Sequence, residues 1–137
     1  MSGKALLKTI RGFALGAGLT LLTAPSGGLE RLTDSPFGYG EDVPDLVASC
    51  EDIRGWAEKA PQTDMRISLA IRGKLRRVHS DGALVYLSMC AEPHPKVTCI
   101  TYQANGMGAG DVVTFAGGYR QLADGRVLLD PCLASRR

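Results

Sequence analysis

Residues 65–90, MRISLAIRGKLRRVHSDGALVYLSMC, decide how the chain is read. Ile67, Leu69, Ile71 and Leu75 alternate with Arg66, Ser68, Ala70, Arg72, Lys74 and Arg76. Side chains on a strand point to opposite faces in turn, so this period of two predicts a long strand with one buried and one basic face. The segment from His79 through Ser80 and Asp81 to Gly82 carries turn chemistry. Residues 83–90 then repeat the alternation as a second strand, giving a hairpin.

Three further strands follow downstream. Pro93 and Pro95 lack backbone donors and force a loop, after which residues 96–103 form a third strand. The glycine-rich stretch 105–110 connects to a fourth strand over 111–119. A turn at 123–125 leads to a fifth strand over 126–130. Upstream, residues 25–42 are rich in Gly, Pro and Ser and read as a flexible linker. Asp42 caps a predicted helix with Pro44 in its first turn; Leu46, Cys50, Ile53, Ala57 and Ala60 recur at helical spacing, and Pro61 ends it. Trp56 borders that stripe and reads as a core anchor.

One helix followed by five short strands predicts a mainly β domain over 43–133, a five-stranded barrel, with 134–137 as a tail. The order of a long first strand, a hairpin, a third strand and a Gly110-Asp111 entry into Val113-x-x-x-Gly117 resembles the OB-fold. Over roughly residues 65–133 it is most similar to exported bacterial OB-fold proteins, relatives of the tRNA-anticodon-binding-like group. The resemblance implies a binding fold. In OB barrels the face of the second and third strands and the adjoining loops take the ligand.

The first 24 residues read as an export signal. Lys4, Lys8 and Arg11 precede 18 uncharged residues, 12–29, of which 13–24 are apolar and small. An uncleaved inner-membrane anchor is the alternative, weakened by five glycines in the run. Cys50, Cys90, Cys99 and Cys132 all lie beyond this segment and form no C-x-x-C pair, so two disulfides in an oxidising compartment such as the periplasm are expected. Removing the signal takes three of sixteen basic residues, leaving thirteen against fourteen acids. Residues 30–64 hold nine acids and three bases, and residues 65–137 hold ten bases and five acids.

Pleat geometry predicts the pairing. If Val85, Leu87, Met89, Ile100 and Tyr102 point inward, Cys90 and Cys99 share the outer face of a hairpin and bond to each other. Cys50 then bonds to Cys132. The candidate contact surface is the basic face of Arg66, Arg72, Lys74 and Arg76, with Tyr86, Ser88, Thr101 and Gln103 on the second and third strands.

No motif points to catalysis, a metal or a cofactor. His79, Ser80 and Asp81 are sequence neighbours, whereas a triad needs facing side chains, and both histidines read as solvated turn residues. The reading is a non-catalytic exported binding module whose partner is an envelope protein, a glycan or a small ligand. A nucleic-acid-binding OB domain using the basic strand face is the second reading. Membrane contact enters only if the N-terminal segment stays uncleaved.

Overall fold

The computed structural model describes residues 34–40, 42 and 44–137. The export signal and most of the linker expected from sequence lie outside the described residues.

The long alternating segment forms β3 (Ile67–Ser80), and β4 (Val85–Met89) returns beside it. β5 (Val97–Thr101), β6 (Val112–Gln121) and β7 (Val127–Ser135) complete a closed ring in the order β3-β4-β5-β7-β6-β3. All neighbours run antiparallel except β5 and β7, which are parallel. The fold is therefore a mainly β, OB-like five-stranded barrel. Its interior is filled by the inward residues of each strand, among them Leu69, Ile71, Leu75, Leu87, Met89, Val97, Val113, Phe115, Val127 and Leu129. Burial of such side chains is the dominant favourable term in folding.

Entry into β6 depends on Gly110. Its φ of +97° would strain any side chain-bearing residue, and its N–H donates to the Leu75 carbonyl while the Leu75 N–H donates to Asp111. That pair starts the β3–β6 ladder on the register that places Val113 and Phe115 in the core.

The ends of the domain differ from the sequence reading in three ways. Residues 37–39, expected as linker, form strand β1 (Phe37–Tyr39), antiparallel to β3 through Phe37↔Leu69. The helix expected over 43–60 shrinks to α1 (Ile53–Glu58), preceded by β2 (Ala48–Ser49), which pairs parallel with Ile71 and Arg72. The free edge of β3 captures residues 48–49, and Leu46 and Val47 stay exposed. Trp56 packs against the core as expected. At the other end, β7 runs to Ser135 and so takes in the start of the expected tail.

Both disulfides form, but with the opposite connectivity: Cys50 bonds Cys90 and Cys99 bonds Cys132. The expected hairpin bridge fails on phase and on register. Cys99 faces Leu87 across the ladder and both are buried in the barrel, while Ile100 lies opposite Tyr86. Cys90 follows Met89 with φ +72°, leaving the strand line to meet Cys50 at a Cα separation of 5.2 Å. Gly73 makes room for this bridge, since a Cβ there would lie 3.1 Å from both the Cys50 and the Met89 sulfur. Among the described residues no helix is long and apolar enough to cross a membrane.

Candidate functional site

A β-bulge decides which residues of β3 share a face with β4. Leu75 pairs with Met89, yet the next partners are Arg77↔Ser88 and His79↔Tyr86, with Arg76 the extra residue. A bulge of this kind re-aims the side chains that follow it. Beyond it, Arg77 and His79 join Tyr86 and Ser88. Across β4 and β5 the pair Ser88↔Thr98 continues that face, and Thr98↔Leu128 carries it to β7. The His79 and Tyr86 rings lie 6.0 Å apart, tilted by 35°.

These residues line a cleft of about 330 Å³ with Lys96 and Arg126 at its far side. A wider hollow of about 740 Å³, beside the proline loop 92–95 and the β6–β7 turn, is also lined by Lys96 and Arg126. The two meet as a trough along the β4–β5 face.

Arg54, Arg77, Lys96 and Arg126 line the trough against Glu92 and Asp124, so the lining carries a net positive charge. Arg126 pairs with Asp124, whose oxygens accept both its backbone and side-chain N–H groups, and the backbone bond is the main cause holding the Asp124 carboxyl below its ordinary range. Among the described residues Arg77 and Lys96 have no carboxylate within 4.0 Å. Tyr86 is oriented from the turn. Its hydroxyl donates to Asp81 at 3.0 Å, and Asp81 also accepts the backbone N–H groups of Ala83 and Leu84. Those bonds, Leu84's foremost, lower the Asp81 carboxyl, and the hydrogen bond to Asp81 raises the Tyr86 phenol. The Ser88 and Thr98 hydroxyls approach to 3.4 Å on the cleft wall.

The structure divides the residues expected at the site. Tyr86 and Ser88 line the cleft. Arg72 and Lys74 do not, because they stand over the β3–β6 ladder, where Arg72 donates to the Thr114 hydroxyl at 2.9 Å and Lys74 lies opposite Val112. Arg76 is the extra residue of the bulge. Arg66 and Thr101 line a different, apolar groove, and Gln103 is exposed past the end of β5. His79, expected in a turn, belongs to β3. Arg77, His79, Lys96, Thr98 and Arg126 are the polar cleft residues that the sequence reading did not select. The consecutive pair Arg76-Arg77, which breaks the alternation, was the available signal for the bulge.

Among the described residues no three His, Cys, Asp or Glu side chains cluster as metal ligands do. No family model matches the chain, and no curated protein matches it in sequence.

Proposed function

We propose that the protein is an exported, non-catalytic binding module, related to the exported bacterial OB-fold proteins, that holds an extended anionic glycan in the trough on its β4–β5 face. The observation that carries this reading is the convergence of Arg77, Lys96 and Arg126 around Tyr86 and His79 in adjoining hollows. Cations recognise carboxylate or sulfate groups, while a tyrosine ring covers the apolar face of a sugar. Two disulfides fit an oxidising compartment, where glycans are at hand. The trough also lies where OB barrels take oligosaccharides and oligonucleotides.

The neighbouring rings of His79 and Tyr86 favour single-stranded nucleic acid as a second reading, because bases stack on such rings. Against it stands the single tyrosine platform, which offers about 1–3 kcal/mol of stacking. Titration of the mature chain with a sulfated oligosaccharide, a polyuronate and a short oligothymidylate decides between them. Glycan binding weakened about tenfold by Arg77→Glu and again by Lys96→Glu, each about 1.4 kcal/mol, supports the proposal. Submicromolar oligothymidylate binding with a steep salt dependence selects the second reading. No binding of any of the three, or glycan binding indifferent to both variants, overturns the placement.

A further inference from the structure

On the edge of β5 that faces away from β4, the ladder between β5 and β7 stops early. Val127 donates to the Lys96 carbonyl, and the pairing runs through Thr98↔Leu128 to Cys99↔Leu129. It goes no further than Leu129, because β7 carries an extra residue there: Tyr119↔Leu129 is followed by Gly117↔Cys132 on the β6 side. Pro131 lies in that irregular stretch and has no N–H to extend the ladder toward the Ile100 carbonyl. Past it β7 continues with β6, through Leu133↔Ala116. Two residues along β5's edge, the Tyr102 N–H has no acceptor among the described residues.

The seam opens into a groove of about 410 Å³ with mainly apolar walls. Tyr102 and Leu133 stand at it with 78% and 77% of their surface exposed, which makes them the two most exposed large hydrophobic residues described. Part of the lining is the backbone of Gly117 and Gly118, against which the β7 backbone at 130–132 packs too closely to admit a side chain. Arg66 lies across Gly118 and has no carboxylate within 4.0 Å among the described residues.

We propose that this seam docks an extended peptide segment of a partner protein, apolar at alternate positions and ending in a carboxylate. Its backbone adds to the β5 edge, donating to the Ile100 carbonyl and accepting from the Tyr102 N–H. Its apolar side chains cover Tyr102 and Leu133, and its carboxylate meets Arg66. Strand addition of this kind takes affinity from main-chain bonds and selectivity from pockets for alternate side chains. The site is separate from the cationic trough and does not depend on the ligand proposed there.

The test uses the full mature chain and a mixture of short peptides randomised among Val, Ile, Leu and Phe at alternate positions, with Thr between and a free carboxylate. Two comparison mixtures carry a C-terminal amide or N-methyl groups at alternate residues. The free-acid mixture should slow hydrogen exchange of the Tyr102 amide and shift the Ile100 and Leu133 resonances. Arg66→Gln should weaken it about fivefold while leaving the amide form unchanged, the size of an exposed ion pair. Leu133→Lys, at an exposed position that leaves the core intact, should abolish binding. No protection of Tyr102 at millimolar peptide overturns the proposal. So does equal binding of the N-methylated mixture, which cannot complete a ladder. Binding of decanoate with no protection of Tyr102 also overturns it, marking the groove as a site for small amphiphiles.

Discussion

Removing the Cys99–Cys132 bridge by changing both residues to Ala should cost more than removing Cys50–Cys90 in the same way. The bridges close chain separations of 33 and 40 residues, and both loops give nearly the same loss of unfolded-state entropy, about 4 kcal/mol each. Packing separates them. Cys99 and Cys132 are both buried, whereas in the other bridge Cys90 is buried and Cys50 only half-buried. Deleting two buried sulfurs leaves a void costing about 1–2 kcal/mol beyond the entropy term. The expected totals are therefore about 5–6 kcal/mol for C99A/C132A and about 4.5–5 kcal/mol for C50A/C90A, which loses one buried sulfur. Against a typical domain stability of about 5–15 kcal/mol, the first variant is close to unfolding at room temperature. Guanidinium unfolding without reductant measures both, and the slope should rise in each variant as the freed loop expands the unfolded state. Thiol titration adds an independent check: C99A/C132A should show no free thiol, and C90A/C99A should show two. A loss below about 1 kcal/mol for C99A/C132A, or free thiols in it, would refute the packing and pairing argument.

Gly117→Ala should lower the unfolding free energy by about 2–4 kcal/mol, because its Cβ would sit 2.4 Å from the Pro131 carbonyl and 2.8 Å from the Cys132 Cα. An unchanged melting temperature contradicts that close approach. Asp81→Ala should return the Tyr86 phenol toward 10.0 in an absorbance titration, since the hydrogen bond to Asp81 is the main cause of its rise. Asp81 itself titrates below 3.8 in the folded chain, so its contribution is complete above that pH and fades as pH falls through the depressed value. NMR titration of its carboxyl at or above the ordinary value breaks this argument. The mature chain should be recovered outside the cytoplasm with its first residue between 25 and 29, and finding only full-length chain in the membrane fraction refutes cleavage.

The strands whose inward residues form one continuous apolar set were legible in the sequence. In β3, the set Ile67, Leu69, Ile71 and Leu75 has no competitor on the other face as far as residue 75. β5 has two such sets, Val97 with Cys99 and Ile100 with Tyr102, and periodicity cannot choose between them. Barrel closure chooses: the parallel pairing with β7 sets Cys99 beside Leu129, both fully buried. The wrong phase there carried the wrong disulfides with it. The helical stripe of residues 46–60 was real in the sequence, but β2 pairing and the Cys50–Cys90 bridge took its first half. The trough was half legible. Tyr86 and Ser88 follow from alternation in β4, whereas Arg77 and His79 need the bulge. Lys96 and Arg126 meet only through a parallel pairing about thirty residues apart in the chain.

The barrel's two candidate surfaces both arise where its ladders are interrupted. The bulge after Leu75 takes up Arg76 and so turns Arg77 and His79 onto the β4 face, which places one of the three cations Arg77, Lys96 and Arg126. Deleting Arg76 should remove the bulge and restore strict alternation while leaving the Arg77↔Ser88 and His79↔Tyr86 pairs in register, so the trough should survive the deletion. At the β5–β7 seam the extra residue of β7 ends the ladder, and Pro131 there has no N–H to extend it. Cys99 and Cys132, with Cα atoms 5.4 Å apart, hold the two strands together just where that ladder ends. The bridge thereby does covalently what the missing hydrogen bonds cannot, which lets the edge of β5 stay open without the barrel coming apart at its weakest seam.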